Sequence, residues 1–204
     1  WWQRIPGDWR TRISIDGSEN GSVEIDYKGL HICLLYALVG IDYWAADGQD
    51  PYSLDGYERS KRMRNFLKKV LLTIINAAGR RSALGAIRKD VNDHPDEFGW
   101  LAEESLSMGA VIDAFVERHA PIAGFFYSGV GIKLQRIESD IAERVIEQFT
   151  ARSCPLLCVH DSFVVRPEEA ECLHMAMDRE YRREVFELSG GKLEFSPELS
   201  VKHV

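Results

Sequence analysis

The sequence predicts an α+β domain in which a small antiparallel sheet is backed by helices, and three observations predict it. Met63, Phe66, Leu67, Val70, Leu71, Ile74, Ile75 and Ala78 step by three and four, the period of a helix buried along one face. Pro155 to Val165 is an apolar, β-prone run broken once by His160-Asp161-Ser162, which predicts a hairpin with those polar residues at its turn. Ser22 to Tyr27 alternates and is β-prone, and the apolar stretch from Leu30 to Val39 is closed by Gly40; together they predict strand, sharp turn and buried helix.

The remaining elements follow in order. Pro6-Gly7, Asp16-Gly17 and Asn20-Gly21 are turn signals around Thr11 to Ile15, so the first 21 residues read as a hairpin leading into the domain. A polar stretch with Gly48 and Asp50-Pro51 precedes the long helix, which starts near Leu54 or Ser60 and is stopped by Gly79. Residues 82–119 read as shorter helices broken at His94-Pro95 and Ser107-Met108-Gly109. Ser128 to Gly131 reads as a loop and Leu134 to Ala151 as a second long amphipathic helix. Glu168 to Leu188 is a third, closed by Gly190-Gly191, and Lys192 to Val201 is a final strand.

Composition narrows the function classes. With 204 residues, 45% of them hydrophobic and 10% aromatic, the chain can fill a core, which excludes disorder, collagen and a disulfide-stapled miniprotein. Lys and Arg number 25 against 32 Asp and Glu, a formal charge of −7, so coating nucleic acid by bulk electrostatics is disfavoured while a local basic patch is allowed. No apolar run reaches the roughly 18 residues of a membrane span, so a soluble protein without a membrane partner is expected. The chain opens on Trp1-Trp2 without the layout of a signal peptide and reads as a piece of a longer protein. Cys33, Cys154, Cys158 and Cys172 form no CxxC pair, which suggests neither a disulfide framework nor a zinc ribbon and fits the reducing cytoplasm. Cys154, Cys158 and His160 are close enough in sequence to share a metal, but Leu156, Leu157 and Val159 between them favour a buried strand.

Two aspartates stand where core strands rarely carry acids: Asp26 after Val23-Glu24-Ile25, and Asp161 between two apolar runs. Each alone reads more readily as a turn residue bonding its own backbone than as a metal ligand. Brought together, two desolvated carboxylates are best compensated by a divalent cation. Between them in sequence lies the basic cluster Arg59, Lys61, Arg62, Arg64, Lys68 and Lys69. Arg64 and Lys68, four apart, lie on the polar side of the long helix and share one face, where they can grip a triphosphate or simply meet solvent.

These residues resemble the family A DNA polymerases and the related single-subunit RNA polymerases of phages and mitochondria. Asp26-Tyr27-Lys28-Gly29-Leu30-His31 is similar to motif A, Arg64 to Ala77 to motif B, and Val159-His160-Asp161-Ser162-Phe163 to motif C in its RNA polymerase form. Leu134-Gln135 with Asp140 resembles the helix before motif C, and Asp50-Pro51-Tyr52 an Asp-containing loop between motifs A and B. The resemblance covers residues 22–204 and implies a palm sheet with a long basic fingers-type helix. It divides the chain into a lead-in over 1–21, a motif A unit over 22–53, reduced fingers over 54–133, and a palm over 134–204 with the motif C hairpin and closing helix and strand.

The resemblance implies a template-directed nucleotidyltransferase, of DNA or RNA, that attaches a nucleoside triphosphate to a 3′-hydroxyl by two-metal phosphoryl transfer. Asp26, Asp161 and the carbonyl of Tyr27 would hold two Mg²⁺ ions, with Mn²⁺ as a substitute. Arg64 and Lys68 would neutralise the phosphates, and Lys68 would protonate the leaving pyrophosphate. Tyr27, His31, Leu72 and Asn76 would line the nucleotide, and Gln135 and His160 the primer-template. The partners implied are primer-template nucleic acid, nucleoside triphosphates and further domains of the parent chain, since no thumb or exonuclease is recognisable. His31 stands where the DNA polymerases have Glu, and Asn76-Ala77 where the family has Tyr-Gly. These departures motivate an alternative, a catalytically degenerate palm used as a nucleic-acid-binding or scaffolding module. A two-metal nuclease is a weaker third reading, because it has no use for Arg64 and Lys68.

Overall fold

The computed structural model describes residues 2–17, 19–104 and 106–203. Its helices are α1 (Gly7–Arg10), α2 (Leu30–Leu38), α3 (Tyr43–Ala46), α4 (Lys61–Asn76), α5 (Arg80–Asp93), α6 (Pro95–Phe98), α7 (Met108–Arg118), α8 (Gly131–Ala151) and α9 (Ala170–Leu188). The strands are β1 (Val23–Tyr27), β2 (Leu157–Val159), β3 (Ser162–Val165) and β4 (Leu199–Lys202), in a four-stranded sheet of order β2-β3-β1-β4. All its ladders are antiparallel, and helices back the sheet, as the sequence predicts. The chain divides into two compact units, one of Trp1–Gly48 with Gln135–Val204, the other of Gln49–Leu134.

The first unit holds the sheet. Alternation along β1 sends Val23, Ile25 and Tyr27 to one face and Glu24 and Asp26 to the other. On the first face Tyr27 packs on α9, where its hydroxyl donates to the Met177 carbonyl at 2.7 Å and its ring meets Tyr181 at 6.1 Å. Leu173, Met177, Tyr181 and Val185 form the buried stripe of α9, at four-residue steps. Arg144 of α8 bridges Glu180 and Glu184 of α9 at 3.1 and 2.6 Å, so the two helices are joined by a largely buried ion cluster.

Two expectations for this unit are corrected. No strand forms over 11–15; a 3₁₀ turn (Trp2–Arg4), α1 and a run of turns stand there instead. The cause is local: Trp9 N–H donates to Pro6 O and Ile13 N–H to Arg10 O, which commits those backbone groups to tight turns. The closing strand is only Leu199–Lys202, because Pro197 lacks the N–H that a strand running through it would need.

The second unit is helical and built on α4. Ser60 caps it by accepting from the Met63 N–H at 3.3 Å, and Met63, Phe66, Leu67, Val70, Leu71, Ile74 and Ile75 are buried along one stripe against α5 and α7. Phe66 meets Phe98 and Trp100 edge-on at 6.1 and 6.4 Å. Ser107 caps α7, and Pro95 opens α6, so the sequence breaks at 94–95 and 107–109 are helix starts. Among the described residues no helix is long and apolar enough to cross a membrane.

Candidate functional site

The antiparallel register of β1 and β3 sets Asp26 opposite Ser162, the residue that follows Asp161. Asp161 and His160 form the two-residue turn between β2 and β3, so both aspartates sit at one end of the same strand pair, and both are half-buried. The charge of Asp161 reaches beyond the turn: burial and then the carboxylates of Glu180, Asp178 and Asp161 hold the Tyr27 phenol well above its usual range. Burial, Glu138 and Asp161 raise the Cys158 thiol in the same way. His160 holds the turn with φ of 54°, a left-handed conformation that a residue with a Cβ adopts rarely.

The face of β1 that carries Asp26 also carries Glu24, which is fully buried. Glu24 Oε1 accepts from Arg10 at 2.6 Å and from Ser162 Oγ at 3.0 Å, and Lys202 Nζ lies 3.5 Å from Oε2. Burial pushes the carboxyl up, but the bond from Arg10, the charges of Lys202 and Arg10 and the bond from Ser162 outweigh it and hold the group below its usual range. Sequence reading passed over this residue. Its one signal is position, two before Asp26 and hence on the same strand face.

His31, in the first turn of α2, is bound to Glu138 of α8, with Nε2 and Oε2 2.8 Å apart and both side chains largely covered. Tyr27 faces away from Asp26 with its ring buried, so what it offers on the aspartate side is backbone. Gln135 and His160 are exposed. A groove of about 830 Å³ runs past His160 along α8, lined by Glu138, Glu143, Ile146, Glu147 and Cys158. Those carboxylates repel a phosphate backbone.

In the second unit Arg64 and Lys68 both stand over the ring of Tyr52, at 5.3 and 5.4 Å from its centre. The basic face of α4 is less bare than its sequence suggests. Arg64 Nε donates to Asp50 Oδ2 and its NH2 group to Oδ1, Arg62 lies near Glu58 and Glu104, and Lys69 is paired with Asp90 at 2.6 Å. Lys68 has no carboxylate within ion-pair distance among the described residues. Three cations in the first turn of α4 oppose the helix dipole, an arrangement that lowers stability by about 0.3–1 kcal/mol per charge and favours an anion at that end. A cleft of about 600 Å³ opens there, lined by Tyr52, Leu54, Tyr57, Arg59, Lys61 and Arg64. Leu72 is half-buried, and the exposed Asn76 donates from Nδ2 to the Leu72 carbonyl at 2.8 Å.

No protein-family model matches this chain, and no curated protein matches it. Among solved structures it is similar to the POL domain of Pol1 from M. smegmatis in complex with a DNA primer-template and dNTP. The TM-score is 0.45 at 14% sequence identity, over 98% of this chain and 43% of that one, so the chain spans less than half of that structure's length. So distant a likeness carries nothing about function, which rests on this chain's own residues.

Proposed function

We propose that this chain carries the catalytic core of a template-directed nucleotidyltransferase of the family A type, joining a nucleoside triphosphate to a 3′-hydroxyl. The single observation that supports it is the β1–β3 register, which brings the Asp26 strand end against the Asp161 turn although the two residues are remote in sequence. The donor set suits Mg²⁺, which takes oxygen ligands, needs only one or two carboxylates from the protein and completes its shell with phosphate and water. Among the described residues no group of three His, Cys, Asp or Glu is gathered for a metal. Asp26, Asp161 and the Tyr27 carbonyl would hold the ions, and the ions when bound supply charge neutralisation and an acidified hydroxyl.

The chain's own groups take the remaining roles. Arg64 and Lys68 neutralise the triphosphate, and Lys68 holds the proton that the leaving pyrophosphate accepts. His31, kept in place by Glu138, is the first unit's proposed nucleotide contact, and Leu72 and Asn76 are those of the second. His160 and Gln135 meet the primer end. The groove carboxylates and the net charge of −7 leave the main grip on duplex phosphates to further domains of the parent chain.

Primer extension with Mg²⁺ or Mn²⁺ and each class of nucleotide tests the proposal. Asp26→Asn and Asp161→Asn are each expected to lower incorporation by about 10²-fold or more. Incorporation that survives both substitutions would falsify it. A second reading, a polymerase-like scaffold without catalysis, is supported by the intramolecular engagement of Arg64 by Asp50 and of His31 by Glu138. It predicts primer-template binding that is indifferent to Asp26→Asn and to added nucleotide.

A further inference from the structure

We propose that Glu24 is a positioning residue for the Asp161 turn, acting through Ser162 and itself anchored by Arg10 of the lead-in segment. The inference rests on the nucleotidyltransferase reading for its functional consequence, and on geometry alone for the clamp itself.

A two-residue turn at the end of a hairpin is poorly restrained, and this one carries a histidine in the left-handed region. Ser162 is where restraint enters. Its hydroxyl lies 3.0 Å from Glu24 Oε1 and 3.0 Å from the carbonyl of Val159, the residue on the other side of the turn. One hydroxyl has one proton, and an ionised carboxylate is the stronger acceptor. Ser162 is therefore tied to β1, the strand of Asp26.

Stability alone is a poor reason for this arrangement. A fully buried carboxylate is expensive to desolvate, and apolar replacement of buried ion pairs is often neutral or stabilising. Glu24 nevertheless draws on three partners from three segments: Arg10, Ser162 and Lys202. The lead-in holds the other strand of the hairpin as well, since Trp2 Nε1 donates to the Cys158 carbonyl at 3.0 Å. Both strands that bear the Asp161 turn are thus pinned from the lead-in, one directly and one through Glu24.

The test combines amide hydrogen exchange with primer extension on Glu24→Gln, Ser162→Ala and Arg10→Gln, with Arg10→Lys as the conservative rescue. Glu24→Gln and Ser162→Ala are expected to speed exchange at the 160–162 amides about tenfold while the α9 amides are unchanged. In extension assays kcat is expected to fall about 10–100-fold, the range for partners that orient a ligating side chain, with the nucleotide KM unchanged. Arg10→Lys should restore both. Uniformly faster exchange over turn and α9, or an unchanged turn, overturns the clamp. If the unsubstituted protein incorporates no nucleotide, the polymerase reading fails while the exchange data still decide whether Glu24 orders the turn.

Discussion

The Asn76 side chain at the end of α4 lies so close to Gly131 at the start of α8 that a Cβ at position 131 would overlap Asn76 Oδ1 and sit 2.6 Å from its Cγ. The amide is held there by its bond to the Leu72 carbonyl. A side chain at position 131 would push this exposed amide off that bond.

Gly131→Ala is therefore expected to destabilise by about 0.5–1.5 kcal/mol, the usual net worth of the hydrogen bond that the displaced amide gives up. Asn76→Ala in the same chain removes the obstacle. The double variant should recover most of the loss, because alanine is the better helix former, and urea unfolding of the four proteins in the cycle measures the coupling. Additive effects would show that the two residues do not meet.

Acid should unfold this protein partly through Glu24. The carboxyl is held below its ordinary value of 4.5 in the folded chain, so its contribution is fully present above that value and is lost as pH falls through the lower, folded one. Glu24→Gln, which cannot titrate, should flatten the stability profile between pH 5 and the acid limit (~pH 2). At pH 7 Arg10→Ala, which leaves the buried carboxylate without its nearest cation, should cost about 3 kcal/mol. Denaturant melts at stepped pH read both effects.

Cys33 should behave as a hydrophobic side chain and not as a nucleophile. Burial pushes its thiol up to about 12, against bonding that pulls the other way, so at pH 8 about one molecule in 10⁴ carries the thiolate. Native alkylation followed by mass spectrometry should leave Cys33 unlabelled while the half-buried Cys154, Cys158 and Cys172 react. Labelling of Cys33 before Cys172 would contradict the burial of Cys33 in α2.

What the sequence disclosed depended on how local each signal was. The stripe of α4 was legible because Met63 to Ile75 repeats at helical steps against a single core, and the β2–β3 hairpin because His160-Asp161 interrupts an otherwise apolar run. The lead-in was misread because Asp16-Gly17 and Asn20-Gly21 fit a run of tight turns as well as a hairpin, and the short-range bonds of Trp9 to Pro6 and Ile13 to Arg10 that decide between them leave no mark in residue type. Glu24 was invisible for a related reason: a glutamate alternating with Val23 and Ile25 looks like the solvent side of a strand. Nothing local announces that Arg10, Ser162 and Lys202 converge on it. The basic face of α4 looked unopposed because its carboxylates, Asp50 and Asp90 among them, lie outside the helix.

The pairing of Arg64 with Asp50 bears on how a triphosphate would be held. Asp50 takes the Nε edge and one NH2 hydrogen of the guanidinium, which leaves the NH1 end of the fork free for two further donors to a phosphate. Asp50 then orients Arg64 without competing for it, while Tyr52 supports the guanidinium and the Lys68 ammonium from one ring. On the proposed function, Asp50→Asn should raise the nucleotide KM about tenfold with kcat unchanged, since a slackened fork weakens ground and transition states alike. Lys68→Ala should instead lower kcat by about 10²–10³-fold, as expected for a group aimed at charge that develops on the leaving pyrophosphate. Lys68→Arg keeps the charge but releases no proton, so it should recover only part of kcat. A lower KM in Asp50→Asn would mean that the carboxylate blocks the phosphate site, and the division of labour between Arg64 and Lys68 would have to be reversed.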